Sequence, residues 1–167
     1  MSQKPEIERK FLIVMPEEEM LAALPGAGCD AIVQTYLAAE PGVTARVRRR
    51  EGSDGTVTYT HTEKRRITDV TALEAEREIG EGEYRRLLKK ADPALHPIEK
   101  RRWSVPMGDL LLEIDIYPFW QGQAVLEVEL PTEDTPTEIP SYLSVLREVT
   151  ADKRYKNVSL ARAIPLE

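Results

Sequence analysis

Five short segments of this chain each carry two like-charged side chains two residues apart. The pairs are Glu6 and Glu8, Arg46 and Arg48, Glu76 and Glu78, Glu113 and Asp115, and Glu127 and Glu129. Side chains at positions i and i+2 of an extended strand point to the same face of a sheet, so each pair puts two like charges next to each other. The intervening residues are mostly apolar. The pattern therefore predicts strands with one apolar face and one densely charged face.

The simplest explanation is a solvated sheet, whose strands also alternate between apolar and charged residues. That explanation suffices for any single pair, but a sheet charged only for solubility would mix Lys and Glu at neighbouring positions. In this chain acids neighbour acids and bases neighbour bases. Like charges on one face destabilise a sheet unless a group of opposite charge lies between them. The carboxylate pairs therefore favour a divalent cation, and the Arg and Lys side chains favour a polyanion.

Composition limits the class of protein. A chain of 167 residues with 41% hydrophobic residues is predicted to form one domain, residues 1–167, with an apolar core. The net charge of −6 argues against a nucleic-acid partner despite the basic run 46–50. The single cysteine, Cys29, excludes an intrachain disulfide and fits a reducing compartment. With no signal-like segment and no run of about 20 apolar residues, we expect a cytoplasmic protein without a membrane partner.

Hydrophobic periodicity and turn residues predict about eight strands in hairpin order. Their predicted bounds are 5–14, 32–38, 43–50, 56–64, 73–79, 98–106, 109–117 and 123–130. Helices are predicted near 17–24, 81–91 and 141–149, with a short helical tail. Because a charged position recurs on one side of nearly every strand, we expect an eight-stranded closed or nearly closed antiparallel tunnel barrel with a polar, charged lumen. The fold class is α+β, mainly antiparallel β, with the helices packed outside.

The same alternation sends both acids and bases into the lumen. The acids are Glu6, Glu8, Glu76, Glu78, Glu113, Asp115, Glu127 and Glu129, and the bases are Lys10, Arg46, Arg48, Lys64, Lys100 and Arg102. They could form a salt-bridge network, but buried ion pairs rarely gain net stability over apolar packing because each charge must leave water. A functional lumen is therefore favoured. Oxygen ligands with almost no His or Cys indicate a hard cation such as Mg²⁺ or Mn²⁺, with a polyphosphate as its companion.

These residues also resemble the signature of a known family. Glu6-Ile-Glu8-Arg-Lys10 is similar to the Glu-x-Glu-x-Lys motif of the CYTH, or triphosphate tunnel metalloenzyme, superfamily. The further matches, in the order of the family, are Arg46-Val-Arg48, Lys64, Glu76-Arg-Glu78, Lys100-Arg-Arg102, Glu113-Ile-Asp115, Glu127-Val-Glu129 and the C-terminal segment Asp152-Lys-Arg-Tyr-Lys-Asn157. In length and in this C-terminal segment the chain resembles the short stand-alone bacterial members, which are inorganic triphosphatases.

The resemblance implies an eight-stranded tunnel that binds triphosphates together with Mg²⁺ or Mn²⁺. It implies that Glu6, Glu8 and Glu129 hold the metal, and the further metal candidates are Glu127, Glu76, Glu78 and Asp115. The residues implied to hold the phosphates are Lys10, Arg46, Arg48, Lys64, Lys100 and Arg102, with Lys153 and Arg154 closing the tunnel mouth. The implied catalytic residues are Lys10, Glu78, Asp115 and Arg102, of which Lys10 or Arg102 would stabilise the leaving pyrophosphate.

The leading expectation is metal-dependent hydrolysis of inorganic tripolyphosphate to pyrophosphate and phosphate. The enzymatic alternatives are a class IV-type adenylate cyclase and a thiamine triphosphatase or other organic triphosphate hydrolase, since a fold alone does not choose among them. The non-enzymatic alternatives are a polyphosphate or nucleotide sensor and a salt-bridged barrel whose partner is another protein. The expected partner is a small triphosphate molecule, and a homodimer is the candidate assembly.

Overall fold

Nine strands form one antiparallel sheet in the computed structural model, which describes residues 3–167. The strands are β1 (Lys4–Val14), β2 (Gly28–Leu37), β3 (Val43–Glu51), β4 (Val57–Arg66), β5 (Thr71–Ile79), β6 (Ile98–Met107), β7 (Leu110–Ile116), β8 (Gln123–Glu129) and β9 (Val145–Glu148). Their order in the sheet is β5-β4-β3-β2-β6-β7-β8-β1-β9, and β1 also pairs with β5. This last pairing closes eight strands into a barrel, which confirms the predicted fold class.

Strand β1 both closes the barrel and carries the ninth strand. Its residues Lys4–Ile7 pair with β5, and its residues Glu8–Val14 pair with β8. Because β5 covers only the first part of β1, the same edge remains available further along the strand. Strand β9 pairs there, with Phe11 opposite Glu148. The backbone amides of Val14 and Val149 extend this pairing by donating to the carbonyl oxygens of Ser144 and Lys10, both in bonds of 2.8–2.9 Å.

The predicted helix over 141–149 is wrong, because this segment forms a turn followed by strand β9. The side chains of Tyr142, Val145 and Leu146 are exposed, and within the turn Leu143 is buried. A surface helix would need to bury a continuous apolar stripe, which this segment does not have. The free edge of β1 satisfies its backbone hydrogen bonds instead. That edge lies more than 130 residues away in sequence, so the local pattern of residues 141–149 cannot predict the pairing.

The other helices lie where the sequence predicts them, although they are shorter. Helix α1 (Glu18–Ala22) buries Leu21 against outward-facing side chains such as Ile114 and Leu126. Helix α2 (Glu81–Leu88) buries Tyr84 against Val47 and Ile79 on the other side of the barrel. Both helices cover the apolar outer face. Among the described residues, no helix is long and apolar enough to cross a bilayer.

The C-terminal segment fills one end of the barrel. It contains a 3₁₀ turn (Lys153–Tyr155) and helix α3 (Asn157–Leu160), and α3 agrees with the predicted helical tail. Tyr155 and Leu160 pack against Leu12, Tyr117 and Val125, which stand on the same strand faces as the charged residues of β1, β7 and β8. The predicted charged lumen therefore extends along only part of the barrel, and an apolar cluster fills this end.

Candidate functional site

Strand register brings the charged rows together inside the barrel. Lys10 stands opposite Glu127 on β8, and Glu113 stands opposite Glu127 on its other side. The enclosed space, here called the inner cavity, has a volume of about 310 Å³. Its walls consist of Glu6, Glu8, Arg46, Arg48, Arg50, Lys64, Glu74, Glu76, Arg102, Glu113, Glu127, Glu129 and Asn157. All of these side chains except that of Asn157 are ionisable, so most of the predicted acids and bases converge on one enclosed space.

A second cavity of about 360 Å³, here called the mouth cavity, adjoins the inner cavity. The two share Glu8, Arg46, Lys64 and Asn157. The mouth cavity is also lined by Lys10, Tyr36, Gly42, Val43, Thr44, Thr62, Arg66, Asp69, Lys153, Lys156, Val158 and Ser159. Several of these residues are exposed on the surface. The mouth cavity therefore connects the inner cavity with solvent, between strands β3 and β4 on one side and the C-terminal segment on the other.

Asp115 anchors an ion network at the wall of the lumen. Its carboxylate is fully buried and accepts hydrogen bonds from Lys100 Nζ at 2.8 Å and from Arg102 Nε at 2.7 Å. Burial opposes its ionisation, but Arg102 and Lys100 lower the pKa of Asp115 to about 2. Arg102 also contacts Glu113 at 3.0 Å and Glu127 at 3.3 Å. Both carboxylate oxygens of Asp115 are thus occupied by cations, which suits an orienting role better than the predicted role of a metal ligand.

Two further lysines of the lumen are also paired. Lys10 Nζ lies 3.2 Å from Glu127, and Lys64 Nζ lies 2.7 Å from Glu6 and 3.3 Å from Glu74. Burial and a hydrogen bond with Glu6 raise the pKa of Glu74 to about 8. Burial also acts to raise the pKa of Glu6. The hydrogen bond from Glu74 and the charge of Lys64 outweigh it and lower the pKa of Glu6 to about 2. Glu6 is therefore ionised at neutral pH and Glu74 carries a proton toward it.

Arg46 and Arg48 have no carboxylate partner among residues 3–167. Arg48 is buried and its Nη2 donates to the side-chain oxygen of Gln34 at 2.9 Å. Burial and repulsion from Arg46 and Arg102 lower the pKa of Arg48 to about 9. Nε of Arg46 is buried without any hydrogen-bond partner. A buried N–H donor without an acceptor is costly, and two guanidiniums without a carboxylate partner share this wall of the inner cavity, so the wall is suited to receive an anion.

Glu8 and Glu129 are the unpaired carboxylates that complement these arginines. They are opposite each other in the register of β1 and β8, and within the described part of the chain neither forms an ion pair. Burial and the charge of Glu127 raise the pKa of Glu8 to about 7, although Lys10 opposes the shift. Burial and the charges of Glu6 and Glu113 also raise the pKa of Glu129. A cation between the two carboxylates would remove this repulsion.

The donor set fits Mg²⁺ or Mn²⁺ only if phosphate oxygens or waters complete the coordination. Among residues 3–167, no three Asp, Glu, His or Cys side chains converge closely enough to form a metal site by themselves. Mg²⁺ is commonly held in this way by one or two carboxylates together with substrate phosphates, not by a cage of protein ligands. Glu8 and Glu129 provide two such carboxylates, and the unpaired Arg46 and Arg48 face the same cavity.

The remaining predicted residues are divided between the cavities and the surface. Glu76 lines the inner cavity and accepts a hydrogen bond of 2.8 Å from the Thr62 hydroxyl. Glu78 is exposed and lines neither cavity. Lys153 lines the mouth cavity as predicted, whereas Arg154 turns away and binds Asp152 at 2.7 Å. The structure therefore brings most of the predicted set together. It leaves Glu78 and Arg154 outside, and it buries Lys100 and Asp115 against each other, where they line neither cavity.

Sequence reasoning missed five charged residues that line the two cavities, namely Arg50, Arg66, Asp69, Glu74 and Lys156. Glu74 lies two residues before Glu76, so one more step of the same alternation would have found it. Lys156 lies in the C-terminal segment, where the sequence drew attention to Lys153 and Arg154. Nothing in the local pattern distinguishes these three cations, because their directions depend on how the segment enters the barrel.

Two structures of the protein NE1496 resemble this chain along nearly its whole length. The first, described as hypothetical protein NE1496, is 30% identical, with 96% of this chain and 99% of NE1496 covered and a TM-score of 0.57. The second, described as inorganic triphosphatase NE1496, is 29% identical, with 96% and 97% covered and a TM-score of 0.58. A conserved hypothetical protein from Pyrococcus furiosus, 19% identical with a TM-score of 0.57 over 77% of this chain and 80% of its own, shares the fold.

No family profile and no curated protein matches the sequence. The identity to NE1496 nevertheless extends over almost the full length of both chains. Most of the residues that resemble the family signature line the two cavities of a closed eight-stranded barrel. The chain belongs to the CYTH, or triphosphate tunnel metalloenzyme, superfamily.

Proposed function

We propose that this protein is a metal-dependent triphosphatase that hydrolyses inorganic tripolyphosphate to pyrophosphate and phosphate. The observation that carries the proposal is the pair of unpaired guanidiniums, Arg46 and Arg48, in the same cavity as the unpaired carboxylates Glu8 and Glu129. The two positive charges of the arginines and the negative charges of the carboxylates have no ion-pair partners. A phosphate chain would neutralise the arginines, and a divalent cation would neutralise the carboxylates. The similarity to NE1496, described as an inorganic triphosphatase, supports the same reaction class.

The residues of the two cavities and their buried ion-pair partners have separable roles in this reaction. Arg46 and Arg48 bind phosphate oxygens, because their donors have no competing carboxylate. Lys10 and Arg102 are held by Glu127 and present positive charge at fixed positions, where they would stabilise charge that develops on the leaving pyrophosphate. Asp115 orients Arg102 and Lys100 and does not itself contact substrate. Fixed charges of this kind cost no reorganisation during the reaction, which is their main advantage over water.

Glu8 and Glu129 would hold the metal, with Glu6 beside them in the same cavity. When bound, a divalent cation neutralises phosphate charge and lowers the pKa of a coordinated water. The protein then needs no histidine base, which agrees with the cavity linings, since neither His61 nor His96 contributes to them. The enclosing strands exclude bulk water from the phosphates and strengthen every electrostatic contact inside.

The organic triphosphates are less well supported as substrates. Cyclisation of ATP or hydrolysis of thiamine triphosphate requires a surface on which a planar ring can stack. Among the residues that line the two cavities, Tyr36 is the single aromatic side chain. Trp103 donates to Glu18 on the outside of the barrel, and Trp120 packs with Tyr155 in the apolar end. An inorganic substrate is the one that these walls accommodate best.

The test is a comparison of products from several triphosphates. The purified protein is incubated with tripolyphosphate, ATP or thiamine triphosphate, each with Mg²⁺, with Mn²⁺ or with a chelator. We expect metal-dependent release of phosphate and pyrophosphate from tripolyphosphate, at least tenfold faster than from either organic compound. Cyclic AMP as the main product would establish the cyclase instead. Tight binding of tripolyphosphate in calorimetry with no product after long incubation would establish a sensor.

A further inference from the structure

Strand β1 changes its partner in the middle of the site. Along one edge its first residues pair with β5, up to Ile7, and its residues from Phe11 onward pair with β9. Within residues 3–167, no strand covers this edge between residue 8 and residue 10. Glu8 and Lys10, which the proposed reaction uses, both lie in this gap. Their backbone groups must therefore find partners outside a regular ladder.

The partners of these backbone groups come from both sides of the gap. The amide of Glu8 donates to the carbonyl oxygen of Val70 at 2.9 Å, and the carbonyl oxygen of Lys10 accepts from the amide of Val149 at 2.8 Å. Each of these bonds extends a neighbouring strand by one residue. The amide of Lys10 differs, because it donates to the side-chain oxygen of Thr150 at 2.9 Å. A hydroxyl thus takes the place of the carbonyl of a missing strand.

The Thr150 hydroxyl is held in the orientation that this bond needs. Its proton points to Oε2 of Glu148 at 2.6 Å, which leaves the oxygen free to accept from Lys10. The carbonyl oxygen of Lys10, at 3.4 Å, is the weaker acceptor for the same proton. Glu148 is fixed in turn by hydrogen bonds of 2.9 and 2.6 Å from Arg9. The network begins and ends on neighbouring residues of β1.

The Lys10 ammonium depends on the position of this backbone. Its Nζ lies 3.2 Å from Glu127 and 3.3 Å from the carbonyl oxygen of Tyr155. Lys10 and Thr150 are 2% and 6% exposed, so bulk water does not replace either set of contacts. A shift of the Lys10 backbone would move the ammonium relative to these acceptors and to the inner cavity. The benefit of a fixed charge in catalysis depends on its position to within about 1 Å.

We propose that Thr150 is a positioning residue, whose hydroxyl closes the gap in the edge of β1 and thereby holds the Lys10 ammonium where negative charge develops in the reaction. The inference rests on the proposed function for the role of Lys10. Thr150 itself lines neither cavity and touches no substrate. Its removal should therefore slow the reaction without weakening the binding of substrate.

The first test separates the hydroxyl from the methyl group of Thr150. Values of kcat and KM for tripolyphosphate with Mg²⁺ are measured for the wild type, Thr150→Val and Thr150→Ser. We expect Thr150→Val to lower kcat at least tenfold and to change KM less than threefold, while Thr150→Ser keeps kcat within about threefold of the wild type. Equal losses of kcat in the two variants, or full activity in Thr150→Val, would overturn the proposal.

Thr35→Val is the matched control. Thr35 is also buried, but it lines neither cavity and lies on β2, away from the gap in β1. We expect Thr35→Val to keep kcat within twofold of the wild type. A loss as large as that of Thr150→Val would mean that any buried hydroxyl has this effect.

The second test asks whether Thr150 acts through Lys10. In Lys10→Met the ammonium is absent, so its position no longer matters. We expect the double variant Lys10→Met with Thr150→Val to have the kcat of Lys10→Met within about twofold. A further tenfold loss in the double variant would show that Thr150 acts by another route.

The third test needs no catalysis. Hydrogen exchange of the Lys10 amide, measured by NMR relative to the amides of β8, reports its bond to Thr150 apart from any general loss of stability. We expect exchange at least tenfold faster in Thr150→Val and near the wild-type rate in Thr150→Ser. Glu148→Ala removes the acceptor of the hydroxyl proton from an exposed position of β9, and should give a smaller increase in the same direction. A Lys10 amide that is unaffected by these changes would refute the positioning role.

These outcomes distinguish the inference from the proposed function. An active enzyme in which the Lys10 amide stays protected in Thr150→Val would overturn the role of Thr150 alone. A wild-type protein that binds tripolyphosphate but never cleaves it would refute the hydrolysis, and loss of Lys10 protection in Thr150→Val with recovery in Thr150→Ser would still support the positioning of Lys10.

Discussion

Glu8 of β1 and Glu129 of β8 are directly opposite each other on the inner wall of the barrel, and no cationic side chain of the described residues pairs with either one. Neighbouring positions of the same two strands behave differently, since Lys10 stands opposite Glu127 and pairs with it at 3.2 Å. The sheet thus neutralises one cross-strand pair internally and leaves the adjacent one repulsive. Such an arrangement is unfavourable for folding alone and is explained by a cation that binds between the two carboxylates.

Replacing either unpaired carboxylate should abolish turnover without unfolding the protein. Glu8→Gln and Glu129→Gln each remove a metal ligand of the proposed site, and we expect metal-dependent hydrolysis of tripolyphosphate to fall at least 100-fold. Their melting temperatures should equal or exceed that of the metal-free wild type, because repulsion is relieved. Glu99→Gln, on an exposed position of β6, is the control and should retain activity. Retained turnover in both Glu8→Gln and Glu129→Gln would refute the metal assignment.

Arg46 should contribute to binding and not to stability. We expect Arg46→Met to weaken tripolyphosphate binding at least tenfold, because it removes an unpaired guanidinium from the boundary of the two cavities. The free energy of unfolding should change by no more than roughly 1 kcal/mol, since Arg46 forms no ion pair and its Nε has no hydrogen-bond partner among the described residues. Calorimetric titration and urea denaturation measure the two effects.

Arg49 provides the control for Arg46. It lies on the same strand but on the outer face, where it pairs with Glu51 at 3.2 Å. Arg49→Met should leave tripolyphosphate affinity within twofold of the wild type. A loss of affinity as large as that of Arg46→Met would mean that binding depends on the overall charge of the protein and not on the tunnel wall.

The metal-free protein should lose stability as the pH rises from about 5 to about 8. Burial and Glu127 raise the pKa of Glu8 from 4.5 in the unfolded chain to about 7, so between these values the folded state holds a proton that the unfolded state has released. The contribution of Glu8 to the free energy of unfolding is fully present below the pKa of the unfolded chain. It is lost as the pH rises through the pKa of the folded state. The loss is roughly 3 kcal/mol for a shift of this size.

Denaturation across this pH range, with chelator present, measures the effect. Glu8→Gln cannot titrate, so its stability should change less with pH than that of the wild type, and the difference between the two isolates Glu8 from the other ionisable groups. Excess Mg²⁺ with tripolyphosphate should reduce the wild-type loss, because ligands that bind only the folded state stabilise it. Parallel stability curves for the two proteins would contradict the assigned pKa.

The C-terminal segment should be required for the stability of the barrel end. Leu160 is 2% exposed and packs against the lumen-facing Leu12 and Val125. We expect Leu160→Ala to lower the free energy of unfolding by about 2–5 kcal/mol through the cavity that it creates. Leu166, which is 93% exposed, gives the matched control, and Leu166→Ala should cost less than about 0.5 kcal/mol. A small effect at Leu160 would mean that the segment is not packed into the barrel in solution.

The sequence by itself determined the barrel and most of its charged wall. A two-residue period fixes which side chains share a face, so pairs such as Glu127 and Glu129 could be assigned to one surface without any knowledge of the partner strands. Eight strands with the same alternation then leave little choice but a closed sheet with the charges inside. The resemblance of the motifs to one family pointed to the same arrangement.

Only the tertiary structure decided which of these charges are neutralised and which remain available. Asp115 and Glu8 each lie two residues after another acid on the charged face of a strand, yet Asp115 is saturated by Lys100 and Arg102 while Glu8 is left unpaired. The formation of β9 likewise depends on contacts with β1, which is more than 130 residues distant. A local pattern fixes the face of the strand on which a side chain stands. The partners of that side chain are set by long-range strand pairing. These partners decide whether its charge is used in an ion pair or remains available to bind a ligand.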